Sequence, residues 1–422
     1  MNDLQKTPIL QDLAEFLAIE STEDAPAKNA PFGLGLRKTL DWFLNKAASY
    51  GLSVSEYNGY YGIVELGKGD KMFGVLCHLD TVGVGEGWSV EPFALTQKDG
   101  YLYGRGIVDN KGVAVVMLHV LKKLKDTQAK LNHRVRLIVG CNEETGSKCL
   151  KEYALREEIP LFSIVPDADF PVVASEKGIL HLKLKHKVDN AFSKRVKELH
   201  FGGSHANVIP DSASVVLDNQ NAVEFKGRAG HAMAPEMADN AAWKMFKLLD
   251  SSLDSSTAQS VYHLFCNPDA KANLGIDYSD TQSGDLTMCL TIGALRDNKL
   301  HLTLDMRLPI CADKNTVIAN IKDRFACEIE ILDFKPNLFF EEDSKFIKTL
   351  CDIYKKETGQ ALPPVRMGGG TYARELPNAV AFGPTFPNTQ TYIHDKDERV
   401  SIAHFNKWFS IYYNALLTLD KL

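Results

Sequence analysis

The stretch Met72-Phe73-Gly74-Val75-Leu76-Cys77-His78-Leu79-Asp80-Thr81 runs apolar and then turns, at its end, to ligand-type side chains. An apolar run of this length after a turn (Lys68-Gly69-Asp70) reads as a strand. Upstream, helical patterns cover Leu10 to Glu20 and Gly35 to Tyr50, the second closing at Gly51; a strand-like segment then leads to Gly67. Downstream, Val113, Val116, Met117, Val120, Leu121 and Leu124 recur at three- and four-residue steps, which predicts an amphipathic helix over 110–126. Strands follow at Arg134 to Cys141 and Leu161 to Val165. Strands alternating with helices predict an α/β fold with a mixed, largely parallel sheet and flanking helices. In such folds ligands bind just past the carboxyl ends of the strands.

After Gly178 the texture changes. Leu180 to Val188, Ala213 to Val216, Ala222 to Gly227, Leu286 to Leu290 and Lys299 to Leu308 alternate like strands, and a helix is predicted over Asp239 to Leu249. Helical patterns return at Asp343 to Glu357 and Phe405 to Leu419. The division expected is therefore a catalytic α/β domain of residues 1–178 and 338–422, interrupted by an α+β lid domain of residues 179–337.

Composition narrows the function. The chain has 422 residues, 45% hydrophobic and 24% charged, with 48 basic against 54 acidic residues. That is a globular balance with material for two or three domains. No basic stripe is present to meet phosphates, so no nucleic-acid partner is expected. No stretch reaches the ~20 apolar residues of a membrane span, and the amino terminus lacks a secretory pattern, so a cytoplasmic protein is expected. The eight cysteines include no C-x-x-C pair and read as buried thiols rather than as chemistry.

Five places concentrate chemistry-bearing residues. In a strand, positions i and i+2 share a face, so Asp80 can orient His78 toward a cation. Gly104-Arg105-Gly106-Ile107-Val108-Asp109-Asn110-Lys111-Gly112 leads into the helix; it lacks the ending of a phosphate loop, and Asp109 is either a plain helix cap or aimed at a cation. Glu143-Glu144 follows the strand Arg134 to Gly140, and Asp167 the strand ending at Val165. His394 opens a charged run, His394-Asp395-Lys396-Asp397-Glu398-Arg399, late in the chain. Each alone is more often an ordinary turn or surface group. Together, strand ends that each deliver His, Asp or Glu supply the donors that zinc or manganese prefers.

In that order, the five segments resemble the signatures of the co-catalytic di-metal aminopeptidase/aminoacylase superfamily, which includes glutamate carboxypeptidase, acetylornithine deacetylase, succinyl-diaminopimelate desuccinylase and carnosinase-like dipeptidases. The resemblance spans nearly the whole chain. Ala25-Pro26 through Gly33-Leu34-Gly35, Asn207-Val208-Ile209-Pro210-Asp211 and Gly368-Gly369-Gly370-Thr371-Tyr372-Ala373-Arg374 resemble its bacterial dipeptidase branch. One departure is Asn110, where most members carry Asp; that position shapes an unusual peptide bond rather than ligating.

The resemblance implies two divalent ions, Zn²⁺ or Mn²⁺. Asp109 would bridge them, His78 and Asp167 would complete one shell, and Glu144 and His394 the other. Asp80 would orient His78, and Glu143 would be the general base acting on a metal-bridging water. His231, in Gly227-Arg228-Ala229-Gly230-His231-Ala232, resembles the lid histidine that donates to the oxyanion. Asn207 would bind oxyanion or carboxylate. Arg307 and Arg374 are candidates for the substrate carboxylate, because arginine clamps it bidentately, and either could instead be a structural ion pair. The activity implied is a dipeptidase acting on unblocked dipeptides, the alternative an N-acyl-amino-acid deacylase. A non-catalytic binding protein on the same fold is disfavoured, because the base and all five ligands are present. The lid is expected to hold two halves, one around Asn207 and one around His231. That would let the protein work as a monomer, with a dimer as the alternative.

Overall fold

The computed structural model describes residues 7–218 and 221–422. The described residues form two compact units, the first made of those up to 174 with 340–365 and 371–422, the second of those between 175 and 339 with 366–370. The short stretch 366–370 thus folds with the second unit, although the sequence division groups it with the catalytic domain.

In the first unit the strands order as Ser53–Tyr57, Tyr61–Leu66, Arg134–Gly140, Met72–His78, Phe162–Val165, Ala379–Ala381 and Val173–Glu176. The pairings from Arg134–Gly140 through Ala379–Ala381 are parallel, and antiparallel strands flank them. The sheet is mixed, with its parallel part at the centre. Met72–His78 is buried at every residue, as a central parallel strand covered on both faces must be. Its register sets Met72 opposite Arg134 and His78 opposite Gly140, so these two strands end level.

The helix Lys111–Asp126 differs from the amphipathic expectation. Every residue from Lys111 to Leu121 is buried, because this helix packs against the sheet strand Met72–His78 and also against the helices Pro8–Leu17 and Ile402–Leu419. A one-sided stripe would leave an apolar deficit on such a helix. Its polar members are therefore paired. Lys111 Nζ donates to the Ile19 carbonyl at 2.6 Å, and His119 Nε2 lies 2.8 Å from Asp12 Oδ2.

The second unit carries one seven-stranded sheet, antiparallel throughout. Its order is Val223–Lys226, Ser212–Leu217, Val196–Phe201, Thr287–Arg296, Lys299–Leu308, Gly178–Lys187 and Glu328–Lys335. Alternate residues Leu180, Leu182 and Leu184 share a core with Phe246 and Leu249 of the helix Ala241–Ser252 and with Val317 and Ile321 of Lys314–Arg324. The expectation of two lid halves is corrected here. The strands after Asn207 and before His231, Ser212–Leu217 and Val223–Lys226, pair with each other and extend the same sheet rather than founding another. Among the described residues no helix is long and apolar enough to cross a membrane.

Asp12 ties three helices of the first unit together. It accepts Lys46 Nζ at 2.8 Å, His119 Nε2 and the Tyr50 hydroxyl, and its side chain is 6% exposed. Asp12→Ala would leave these donors without their acceptor. The expected loss is about 3 kcal/mol of stability, given the cost of orphaned buried polar groups. Thermal unfolding should show a fall in Tm of several degrees, with metal content and kcat at lower temperature unchanged.

Candidate metal centre and lid residues

The parallel strands bring their carboxyl ends to one side of the first unit's sheet, where His78 ends one strand and Glu144 and Asp167 lie just beyond two others, while Asp109 and His394 come from other loops. His78 Nε2 lies 2.8 Å from Asp109 Oδ1 and 3.5 Å from Asp167 Oδ1. His394 Nε2 lies 2.9 Å from Asp109 Oδ2 and 3.1 Å from Glu144 Oε2. Each oxygen of Asp109 thus faces a different histidine. Ligand atoms of His78, Asp109 and Glu144 all fall within 4.8 Å of one another, as do those of His78, Glu143 and Asp167. Glu143, read as the base, therefore stands at ligand distance from His78 and Asp167.

The role expected of Asp80 is refined by its contacts. His78 Nδ1 donates to the Asp80 backbone carbonyl at 3.0 Å, while the nearer carboxylate oxygen lies 3.5 Å away. The carbonyl can only accept, so the proton sits on Nδ1 and Nε2 faces the cluster. The Asp80 carboxylate instead accepts the Glu144 amide through Oδ2 at 3.0 Å. One residue thus orients a histidine and anchors the following acidic loop.

Asp109 is not the helix cap. That position falls to Asn110, whose side chain makes no capping bond. Asn110 Nδ2 donates to the Pro166 carbonyl at 2.6 Å and reaches Asp167 Oδ1 at 3.3 Å. The Asp109–Asn110 peptide is cis. At Gly106 the backbone has φ +83°, and at Gly112 an added Cβ would lie 2.0 Å from the Ile107 carbonyl oxygen, so both turns of this loop require glycine.

The electrostatics record an excess of negative charge. Burial, then the Asp167 carboxylate, holds Glu143 well above the usual carboxylate range. Burial also raises Glu144, with Asp109 adding to it, and burial raises Asp167. For His78, burial opposes the charge but the surrounding Asp167, Asp109 and Asp80 outweigh it and raise its pKa. His394 is pushed up to about 11 by its bonds to Asp109 and Glu144. Burial acts to raise Asp109, yet bonds from His394 and His78 outweigh it and hold Asp109 low. Carboxylates raised by burial beside histidines raised by those carboxylates mark a concentration of negative charge. Glu144 Oε1 is buried without a hydrogen-bond partner among the described residues. Carboxylate oxygens and imidazole nitrogens form the donor set of zinc and manganese. The residues fit a divalent cation, and His78, Asp109, Glu144, Asp167 and His394 are the side chains that could hold one.

Glu398 is the residue sequence reading missed. It is fully buried. Its Oε2 accepts Arg105 Nη1 at 2.9 Å and the Gly106 amide at 2.8 Å; its Oε1 accepts the Val108 amide at 2.8 Å and the Asp109 amide at 3.1 Å. Arg105 Nη2 also donates to the Asp395 carbonyl at 3.0 Å. The segment that carries His394 is therefore bound to the loop that carries Asp109. In sequence Glu398 sits in a charged run that reads as surface, and nothing there pairs it with a loop 292 residues away.

In the second unit, Val208 pairs with His231 in a short antiparallel bridge. The Met233 amide donates to His231 Nδ1 at 3.0 Å, so a neutral His231 carries its proton on Nε2, 3.4 Å from Asn207 Nδ2. These two predicted residues are brought together. Arg307 is 2% exposed, with Nε and Nη2 each 2.7 Å from the two oxygens of Asp305. Asp305 also lies 2.9 Å from His181 Nε2. Of the two readings offered for Arg307, the ion pair is present, and Nη1 is directed at the Gly368 carbonyl at 3.4 Å. Arg374 lies half-buried in the turn Tyr372–Glu375 of the first unit.

The Glu398 contacts generate a test. Glu398→Gln keeps the volume but offers one acceptor and an N–H₂ group to donors that need two acceptors. Metal affinity should fall by about 10- to 100-fold, as for other groups that orient ligands. Titration against a chelator would read it; affinity equal to wild type in a folded variant would count against the role.

Comparison with known proteins agrees with this geometry. Residues 74–418 match peptidase family M20/M25/M40. YtjP of Bacillus subtilis (strain 168), provisionally named a dipeptidase, is 32% identical over 462 aligned positions covering 99% of this chain and 98% of its own. A Staphylococcus aureus (strain USA300) protein with the same provisional name is 29% identical, covering 97% of each chain. Among solved structures, human carnosine dipeptidase 1 superposes with a TM-score of 0.63 at 14% identity, over 100% of this chain and 97% of its own. The M20 family metallo-carboxypeptidase Sso-CP2 of Sulfolobus solfataricus gives 0.63 at 16%, over 99% and 100%. With residues 74–418 matched by the family and a relative 32% identical over nearly the whole chain, the chain belongs to peptidase family M20/M25/M40.

Proposed function

We propose that this chain is a metal-dependent dipeptidase that hydrolyses the peptide bond of unblocked dipeptides. The observation that carries the reading is the Asp109 carboxylate, presenting one oxygen toward His78 and the other toward His394, with Glu143 at ligand distance from His78 and Asp167. The provisional names of the sequence relatives support dipeptides over other peptides. Two divalent cations, when bound, would polarise the scissile carbonyl and acidify an attacking water.

The chain's own residues do the rest. Glu143 accepts the water's proton and returns it to the leaving amine, a role for which a carboxyl held above its usual range is suited once cations offset part of the shift. Asp80 holds His78 by its carbonyl and the Glu144 loop by its carboxylate. His231, with Nδ1 occupied by the Met233 amide, presents Nε2–H, and with Asn207 supplies donors for the oxyanion. For the substrate carboxylate Arg307 and Arg374 are the candidates, and Arg307 spends two nitrogens on Asp305.

Prolonged chelation should abolish hydrolysis, and Zn²⁺ or Mn²⁺ should restore it; full activity in protein shown to be metal-free would refute the reading. A panel of unblocked dipeptides and N-acyl amino acids separates dipeptidase from deacylase, with cleavage of the first group expected. Glu143→Gln should keep both metals and lose about 10²–10⁴ in kcat. Glu144→Gln should lose metal as well, because it removes a charged ligand. Equal metal content and equal activity in the two variants would contradict the assigned roles.

A further inference from the structure

A dipeptidase must recognise a free α-ammonium, the group that separates its substrates from N-acyl amino acids. An ammonium brought beside divalent cations is repelled by them and stripped of water, so it needs a carboxylate that the cations do not claim. In the first unit Asp109, Glu143, Glu144 and Asp167 make up the metal cluster. Asp80 and Glu398 also touch the ligand-bearing loops, but both are buried and hold backbone amides. Asp395 turns one oxygen to the Lys396 amide of its own loop.

Glu23 stands apart. The segment that bears it is tied to three ligand-bearing loops: Lys111 Nζ donates to the Ile19 carbonyl at 2.6 Å, and the Thr81 amide to the Ser21 carbonyl at 3.0 Å. Asn142 Nδ2, at 3.1 Å, and the Thr145 hydroxyl both donate to Glu23 Oε2. Those two donors flank the Glu143-Glu144 pair, one residue away on each side, which places the Glu23 carboxylate within about 10 Å of the cluster by the reach of the chain. A dipeptide spans ~7 Å. The side chain is exposed, and Oε1 has no partner among the described residues. Both of its donors are neutral, so the negative charge is uncompensated.

We propose that Glu23 is the acceptor for the substrate's α-ammonium, and so the residue that selects unblocked dipeptides over N-acyl amino acids. This rests on the dipeptidase reading. Such a contact is made alike in ground and transition states, so its loss should appear in KM rather than kcat.

The test compares glycyl-leucine with acetyl-leucine, which differ only by the amino group, in the metal-loaded wild type and in Glu23→Gln. Glutamine retains an oxygen for Asn142 and Thr145, so the loop is kept; metal content and Tm verify this. The expected result is a fall of about 10- to 100-fold in kcat/KM for glycyl-leucine, carried by KM. Acetyl-leucine, followed as substrate or as competitive inhibitor, should be unaffected, and Glu23→Asp should recover part of the loss. Equal effects on both compounds, or none on glycyl-leucine in a folded, metal-loaded variant, would overturn the assignment, as would the selective loss appearing in Asp395→Asn instead. A wild type that cleaves acetyl-leucine but not glycyl-leucine would refute the dipeptidase reading itself, whatever Glu23→Gln does.

Discussion

A single carboxylate, Asp109, holds the centre together, because each of its oxygens must serve a different histidine from a different part of the chain. His78 arrives on a central strand, and His394 on a loop more than three hundred residues later. A flexible aspartate could satisfy one partner and swing away from the other. Glu398 prevents that by gathering the amides of Gly106, Val108 and Asp109 onto a buried carboxylate, while its own segment carries His394. The same contact that shapes the Asp109 loop delivers the second histidine to it. Lys111, anchored on the Ile19 carbonyl, fixes the helix start from the other side.

The surrounding charge is arranged to need cations. Several carboxylates crowd within ligand distance in a buried place, and burial raises Glu143, Glu144 and Asp167. A purely structural network would pair such groups internally, as Asp12 does with Lys46, Tyr50 and His119 in the same unit. The contrast is informative: Asp12 has its donors, whereas Glu144 keeps a buried oxygen with none among the described residues. Buried polar atoms without partners cost stability unless a ligand completes them.

The second unit treats its polar groups differently. Arg307 and Asp305 lie two apart on one strand and so share a face, and they close on each other with His181 alongside. His231 is held in one tautomer by a backbone amide, which costs no side chain and leaves Nε2–H directed outward from the ring. The short antiparallel pairing that sets Asn207 beside His231 makes them a single device, where the spacing in sequence suggested two.

Much of this was legible in the residues alone. The α/β character follows from alternating periods, and His78, Glu144 and Asp167 stand out because each follows an apolar run, where an open sheet binds. Boundaries fell within a few residues for the strand at Met72 and for the helix at 110–126, since local periodicity reports local structure. The tertiary structure decided what periodicity cannot encode. That the helix from Lys111 is buried all round depends on two distant helices covering it. That Asp80 uses its carbonyl for His78 and its carboxylate for Glu144 depends on a parallel register. The partnership of Glu398 with the Asp109 loop depends on folding across most of the chain, and a carboxylate in a charged run carries no local mark of burial. Residue types and spacing select the chemistry; only packing assigns each polar atom its partner.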